Sequence, residues 1–495
     1  MLGLVSTRDL GAERIGYADA LLDGLAPDGG LYLPEGAVYP HLTTAEITRL
    51  GGQPYAEVAT TIKSRLIDGD IDLEDQCILN DAAYDPEAFP QARNGNIAPV
   101  EEVAENVFLM DLSLGPTAAF KDFGLRSVAW DVVHLLDRLD ERQTKGEDQA
   151  NFGASSGDTF SASMRAFKDA VRDHFSRTGR LRKVLNFMMT PLAGTMTTFQ
   201  RAQGGLEADE YNHNLSFDGS FDDCQDMVKA IKQEEEFSDL GAVNSINWGR
   251  IVGQVVYYFY AYAQMEKTGS VRAGQPIDVI VPTGNFGNVL SAHIARRMGL
   301  PIENLTIATN ENNVLDRLVR TGEYERSVKV DTSSPSMDIT TASNYERLVY
   351  EFFEGDAKQT RQYMEEFGRT GKVSLEDYGL DKSVFSRFGI SSGSSTHADR
   401  IESIREIYRS SGKVIGPHAA DSITIALRRD NLERPTLCVA TDHPVKSEAT
   451  VEHALGFVLP REPRFEGLEN RPGADNFVVV TSIDGVKNYL RKHRR

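Results

Sequence analysis

Cysteine is scarce in this sequence. Three in 495 residues, Cys77, Cys224 and Cys438, stand far apart without metal-like spacing, so neither a disulfide framework nor a metal site is expected and a reducing compartment fits. Positive charge is also in deficit: 53 Lys and Arg against 73 Asp and Glu leave a formal net charge of −20. That balance argues against nucleic acid or an anionic membrane as the main partner, and any anionic ligand must be held by a local cluster of donors. Long apolar runs are missing as well. The longest, IVGQVVYYFYAYA from Ile251 to Ala263, carries Gln254 and falls short of the ~20 residues a membrane span needs, so it reads as a buried helix. The N-terminus, MLGLVSTRDLGAERIGY, meets Arg8, Asp9, Glu13 and Arg14 before any signal-like apolar stretch, and is read as mature and cytoplasmic. Fixed-period repeats and low-complexity tracts are absent, while 40% hydrophobic and 25% charged residues are ordinary for a globular chain.

What is present is an ordered alternation. A chain of 495 residues implies two or three packed domains. From about Asn94 short strand-like runs alternate with longer helical ones: NVFLMDLS, then a helix from Ala119 to about Arg142 with Val128, Val132, Leu135, Leu136 and Leu139 on one face; QANFGASSGDT, then FSASMRAFKDAVRDHF; KVLNFMM, then the TMTTFQRAQ region; PIDVIV, then NVLSAHIARRMG, then LTIATN. This rhythm predicts parallel sheets covered by helices on both faces, with ligands at the carboxyl ends of the strands. Residues 1–97 break it and are read as a separate N-terminal unit, with APDGGLYLPEG as turns and short extended pieces. Residues 98–475 form the main region of two α/β subdomains, and 476–495 a C-terminal tail. SSGSSTHADR, Ser391 to Arg400, is read as a loop before the helix IESIREIYRS.

Three strand-to-helix junctions can make one site. VPTGNFGNVL, Val281 to Leu290, places two glycines where backbone N–H groups and a helix N-terminus cradle a phosphate. ASSGDTFSAS, Ala154 to Ser163, sets Ser155, Ser156, Asp158 and Thr159 at another helix N-terminus; capping needs one such residue, and four point to ligand binding. GPTAAFKDFG, Gly115 to Gly124, puts Lys121 one turn inside an apolar helix, where a helix N-terminus and desolvation favour the neutral amine that attacks an aldehyde. A Schiff-base lysine, a phosphate cradle and a hydroxyl-rich loop are together what pyridoxal phosphate (PLP) requires.

With these residues assembled the chain resembles the threonine synthases, fold-type II PLP enzymes, of the long microbial type. STRD, LLDGLAPDGGLYLPEG, GPTAAFKDFG, SSGDT, SFDDCQD, NSINWGRIVGQVVYYFYAY, VPTGNFGN with MGLP, ATNENN and SSPSMDI match in order along nearly the whole chain. The resemblance implies a tryptophan synthase β-like α/β fold of two parallel-sheet domains plus the N-terminal unit. It implies that Lys121 carries PLP and later shuttles protons, and that Gly284, Asn285, Phe286, Gly287 and Asn288 cradle the cofactor phosphate. Asp158 would lie near the pyridine hydroxyl and Thr441, in VATDHP, near the ring nitrogen. Ser155, Ser156, Thr159, Asn244, Ser245 and Arg250 would hold the phosphate of the substrate. The implied reaction converts O-phospho-L-homoserine and water to L-threonine and phosphate, in a protein that is a monomer or homodimer.

Some positions depart from the family pattern. Phe160 follows SGDT where glycine is usual, and its ring could narrow the pocket; Leu114 replaces a histidine; a basic residue is missing near Thr195; Gly416 stands where an aspartate is common; and Asp442 and His443 flank Thr441. His418 and His443 read as structural, hydrogen-bonded histidines. Two other outcomes stay open at this point: a phospho-lyase giving 2-oxobutyrate and ammonia from the same substrate, and a catalytically weak binding protein on the PLP fold. A nicotinamide dehydrogenase does not fit, because GNFGN lacks the GxGxxG pattern.

Overall fold

The computed structural model describes residues 2–494 other than 12, 68, 142–148, 156, 193–195, 220, 242–243 and 430–432, so Ser156 and Thr195 lie outside the described residues. The alternation of the sequence becomes strands β1 (Leu4–Ser6), β2 (Tyr32–Pro34), β3 (Val100–Ala104), β4 (Val107–Asp111), β5 (Gln149–Ala154), β6 (Val184–Pro191) and β7 (Asn212–Phe217), followed by β8 (Ile277–Pro282), β9 (Ile302–Thr309), β10 (Glu323–Glu325), β11 (Lys372–Ser374), β12 (Ile390–Ser394), β13 (Thr436–Ala440) and β14 (Val478–Val480). A six-stranded sheet runs β12-β9-β8-β13-β4-β3, and a four-stranded sheet runs β14-β7-β6-β5. Every pair in both is parallel except β3 with β4. β6 and β8 are buried along their whole length, as strands covered on both faces must be. This is the expected α/β architecture.

Helices join the sheets. Lys121–Glu141 follows β4 of the larger sheet and Asp158–Thr178 follows β5 of the smaller one. The two helices are tied side by side by Arg126 Nη1 to Asp169 Oδ2 (3.0 Å) and Trp130 Nε1 to Asp173 Oδ2 (2.9 Å). Helix Trp248–Lys267 carries the longest apolar run and is buried continuously from Trp248 to Ala263. The expected buried helix is therefore present, and among the described residues no helix is long and apolar enough to cross a membrane.

The N-terminal unit is more helical than its turn-rich start suggests. β1 and β2 pair there, antiparallel, while Tyr55–Ile67 and Leu73–Ala83 are helices. Lys63 is buried between Asn80 Oδ1 (3.1 Å) and Asp131 Oδ1 (3.0 Å), and Tyr17 donates to the other oxygen of Asp131 (2.7 Å). A charge withdrawn from water must be fully partnered. This network meets that need and fastens the unit to helix Lys121–Glu141.

One loop expectation is corrected. Ile390–Ser394, which takes in most of SSGSS, is the edge strand β12, and the helix after it begins at His397 behind a Thr396 capping box. An edge strand needs backbone pairing on one side only, which β9 supplies, and its serines bond outward: Ser391 with Thr306 (2.9 Å) and Ser392 to Asp316 (2.7 Å).

The Phe160 ring packs into the core against helix Thr198–Glu207 and Phe477. It is fully buried, lies 6.1 Å from the Phe477 ring, and sits where a Cβ on Gly204 would come within 1.6 Å of it. The bare backbone of Gly204, in the helix Thr198–Glu207, makes room for the ring. Gly204→Ala is expected to destabilise the fold by about 2 kcal/mol or more through overpacking. Adding Phe160→Leu should restore most of that loss, so denaturant unfolding of the double variant will show strong non-additivity; additive losses would refute the packing account.

Candidate active site

Three loops leave adjacent strands of the larger sheet at their carboxyl ends. β8 gives Thr283–Phe286, β13 gives Thr441 onward, and β4 gives Leu112–Phe120. The Gly-Pro-Thr turn sets the last of these. Asp122 Oδ2 accepts from Thr117 N (2.9 Å) and Oδ1 from Thr117 Oγ1 (2.7 Å), and Gly115 is packed so closely that a Cβ would lie 2.3 Å from Asp122 Oδ2. Burial pushes the Asp122 carboxyl up, although the Thr117 bonds oppose it. The turn ends in Ala118 at φ +58°, and Lys121 is then the first residue of its helix rather than one turn inside. Phe120 N donates to Thr441 O (2.8 Å) and His443 N to Ala118 O (3.1 Å), which pins the lysine turn to the β13 loop.

Lys121 meets Asp158 directly, Nζ to Oδ2 at 2.9 Å, with 15% and 1% of the two side chains exposed. The carboxylate collects four donors in all. Oδ2 also accepts from Ser336 Oγ (3.2 Å), while Oδ1 accepts from Lys446 Nζ (2.7 Å) and Gln200 Nε2 (2.8 Å). Lys446 is wholly buried. Burial alone would push the Asp158 carboxyl up, but Lys121 and Lys446 reverse this and hold it well below the usual carboxylate range.

Behind this cluster, His418 Nε2 accepts from Ser336 N (3.0 Å) and Nδ1 faces Asp442 Oδ2 at 2.8 Å. Those bonds assign the ring proton to Nδ1. Burial pushes His418 down and Asp442 more than compensates, so its pKa is raised. A second ring proton would nevertheless confront the Ser336 N–H, so His418 gains charge only if that loop loosens. His443 accepts from Val445 N at Nδ1 (3.1 Å) and faces Gln91 and Glu462, a loop-fastening set of contacts.

The remaining expected residues fall into two groups. In the cradle, Phe286 adopts φ +67° as the cap of helix Gly287–Arg297, a strained setting for a side-chain-bearing residue. A Cβ on Gly284 would lie 3.1 Å from Ser336 O, so the cradle touches the loop that reaches Asp158. Asn288 Oδ1 accepts from the Tyr257 and Tyr258 hydroxyls (2.6 Å each), and its Nδ2 is buried with no partner among the described residues. In the second group Ser245 Oγ lies 3.3 Å from Ser343 Oγ, Thr159 is half-buried, and the Asn244 side chain fills the space over Gly153, where a Cβ would come within 2.6 Å of its Oδ1. Arg250 is buried near the start of helix Trp248–Lys267, and burial pushes it down to about 10. Ser155 Oγ accepts from Gly157 N and Phe160 N (3.2 Å each), so its oxygen caps the turn into helix Asp158–Thr178.

Sequence reasoning missed Lys446, Gln200 and Ser336. Lys446 stands five residues after Thr441 in the same loop, Ser336 lies in SSPSMDI and Gln200 in the TMTTFQRAQ region, but none of these stretches points to Asp158 by itself.

Because the folded pKa of Asp158 is depressed, its stabilisation is present above the unfolded value of about 3.9 and is lost as pH falls through the folded value. Asp158→Asn should therefore cost about 3 kcal/mol at neutral pH by stripping two lysines of their counter-charge. The gap from wild type should close as pH drops below about 4 in paired denaturant titrations; a gap independent of pH would contradict the ion-pair account.

Comparison with known proteins agrees with this architecture. Residues 4–84 match the family model for the threonine synthase N terminus. The chain is 39% identical to threonine synthase of Corynebacterium glutamicum, over 98% of this chain and 97% of the relative. It is 38% identical to threonine synthase of Methylobacillus glycogenes over 99% of both. A crystal structure of PLP-bound threonine synthase from Brucella melitensis matches with a TM-score of 0.86 and 34% identity over 100% of both chains. The yeast threonine synthase structure matches at 0.85 and 30% identity, over 99% of this chain and 98% of that one. Likeness of this extent in sequence and in fold, from one end of the chain to the other, makes it a member of the threonine synthase family.

Proposed function

We propose that the protein converts O-phospho-L-homoserine and water to L-threonine and phosphate with pyridoxal phosphate as cofactor. The observation that carries the reading is Lys121, an amine partly open to the site, held against a buried carboxylate where the two sheets meet. The residues present fit the cofactor. Asn288, on the helix that the glycine turn opens, has a buried amide nitrogen without a partner among the described residues, a donor that a phosphate oxygen would satisfy.

In this reading Gly284, Asn285, Phe286, Gly287 and Asn288 hold the cofactor phosphate and Thr441 stands by the ring nitrogen, while Lys121 Nζ is the point of attachment. When bound, pyridoxal phosphate supplies the electron sink that lets protons leave the carbon chain of the substrate. Asn244, Ser245, Arg250, Ser155, Ser156 and Thr159 bind the substrate phosphate. Arg250 counters the charge of the phosphate as it departs from the γ carbon, a local cation in a chain of net charge −20. Lys121 Nζ takes up the proton from the α carbon and returns one after water adds at the β carbon. Asp158 orients that amine by accepting a hydrogen bond from it. The cysteines are free, which supports a reducing, cytoplasmic setting.

Purified protein incubated with pyridoxal phosphate and O-phospho-L-homoserine should release threonine and phosphate in equal amounts. Phosphate with 2-oxobutyrate would identify a lyase, and no phosphate would overturn the substrate. Lys121→Ala is expected to abolish turnover and the visible absorbance of lysine-bound cofactor together; a variant keeping both would sink the assignment. Arg250→Ala should raise KM by about tenfold or more, on the scale of a buried charged hydrogen bond, with cofactor absorbance intact. Loss of cofactor instead would mean that the two phosphate sites are exchanged.

A further inference from the structure

Two loops carry the proposed anion sites, Thr283–Asn288 for the cofactor phosphate and Asn244–Asn247 for the substrate phosphate. They belong to separate segments of the chain, and a third segment bridges them. Asn344 is fully buried, and its side-chain nitrogen donates to Ser245 O (3.0 Å) and Asn285 O (3.1 Å). Its backbone N donates to Asn285 O as well (3.1 Å). The amide orientation is unambiguous: Arg347, which can only donate, bonds Asn344 Oδ1 through Nη1, so the nitrogen must face the two carbonyls. Both amide protons are used in spanning the loops.

Arg347 locks the span. It is buried, its Nη2 donates to Ile246 O (2.6 Å), and its Nε donates to Tyr32 O (2.8 Å) in the N-terminal unit. Burial pushes it down to about 10. Three acceptors on three chain segments match the fixed fork of a guanidinium, which an ammonium could not reproduce. Glu346, directly before Arg347, is gripped by the STRD stretch: Thr7 Oγ1 donates to Oε1 (2.6 Å), and Arg8 donates from Nε (2.7 Å) and Nη2 (2.6 Å). The N-terminal unit thus docks on the same turn that joins the two loops.

We propose that Asn344 and Arg347 are a positioning pair that fixes the spacing between the cofactor-phosphate and substrate-phosphate loops and ties that spacing to the seating of the N-terminal unit. This rests on the function proposed above. The pair need touch neither ligand; it acts through Ser245, Ile246 and Asn285. Filling one anion site accordingly steadies the other.

The test uses the full chain. Hydrogen exchange of the wild-type apoprotein, with and without pyridoxal phosphate and with no substrate, should show cofactor-induced protection in residues 244–248 as well as in 284–288. Protection confined to 284–288 overturns the proposal. Failure of the cofactor to bind or protect 284–288 at all refutes the function instead. Asn344→Ala should weaken cofactor affinity, read from its absorbance titration, and the binding of inorganic phosphate to cofactor-saturated protein, read by calorimetry. Each should fall about tenfold, the scale of one lost buried hydrogen bond. Arg347→Lys should lower kcat with a smaller rise in KM, because the charge stays and the fork is lost. Both affinities within twofold of wild type, in a variant whose circular dichroism shows it folded, would reject the pair as positioning residues. Should the variants not fold, the exchange experiment on the wild type decides alone.

Discussion

The arrangement depends on one buried carboxylate. Asp158 stands at the first turn of a helix from the smaller sheet, yet Lys121 and Lys446 both come from loops of the larger one. A charge so placed is tolerable only while its partners stay within hydrogen-bond reach, because the low dielectric that strengthens the pairing also magnifies the cost of losing it. The two sheets are thus registered on each other by an ionic contact as well as by apolar packing. The donors come from four loops or helices, so no single element can shift without leaving the carboxylate exposed to imbalance.

The same economy governs the N-terminal unit. Lys63 with Asp131 at one end, and Arg8 with Glu346 at the other, fasten it to the lysine helix and to the turn that spans the two loops proposed to hold anions. Both junctions use charge at buried or half-buried positions, where direction matters more than area. An apolar interface of similar size would hold the unit but would not fix its angle.

How much of this was legible in the sequence follows from distance along the chain. The cradle, the lysine turn and the SSGDT junction were readable because glycine, proline and capping residues act on neighbours a few positions away. Ser336 and Lys446 were not, since they reach Asp158 across 178 and 288 residues and no pattern in their own loops points to that carboxylate. Lys121 was placed one turn too deep because the Thr117–Asp122 bonds hold the chain in a turn up to Phe120. SSGSS was misread for the opposite reason: its composition is that of a loop, and only the neighbouring strand β9 makes it a sheet edge.

The contact between Phe160 and Gly204 also makes two distant positions share one volume. Since the ring occupies the space that any side chain at position 204 would need, an aromatic residue at 160 is compatible only with a bare helix at that point. The two positions, 44 residues apart in the chain, therefore divide a fixed volume between them, and a larger residue at one is tolerated only with a smaller one at the other.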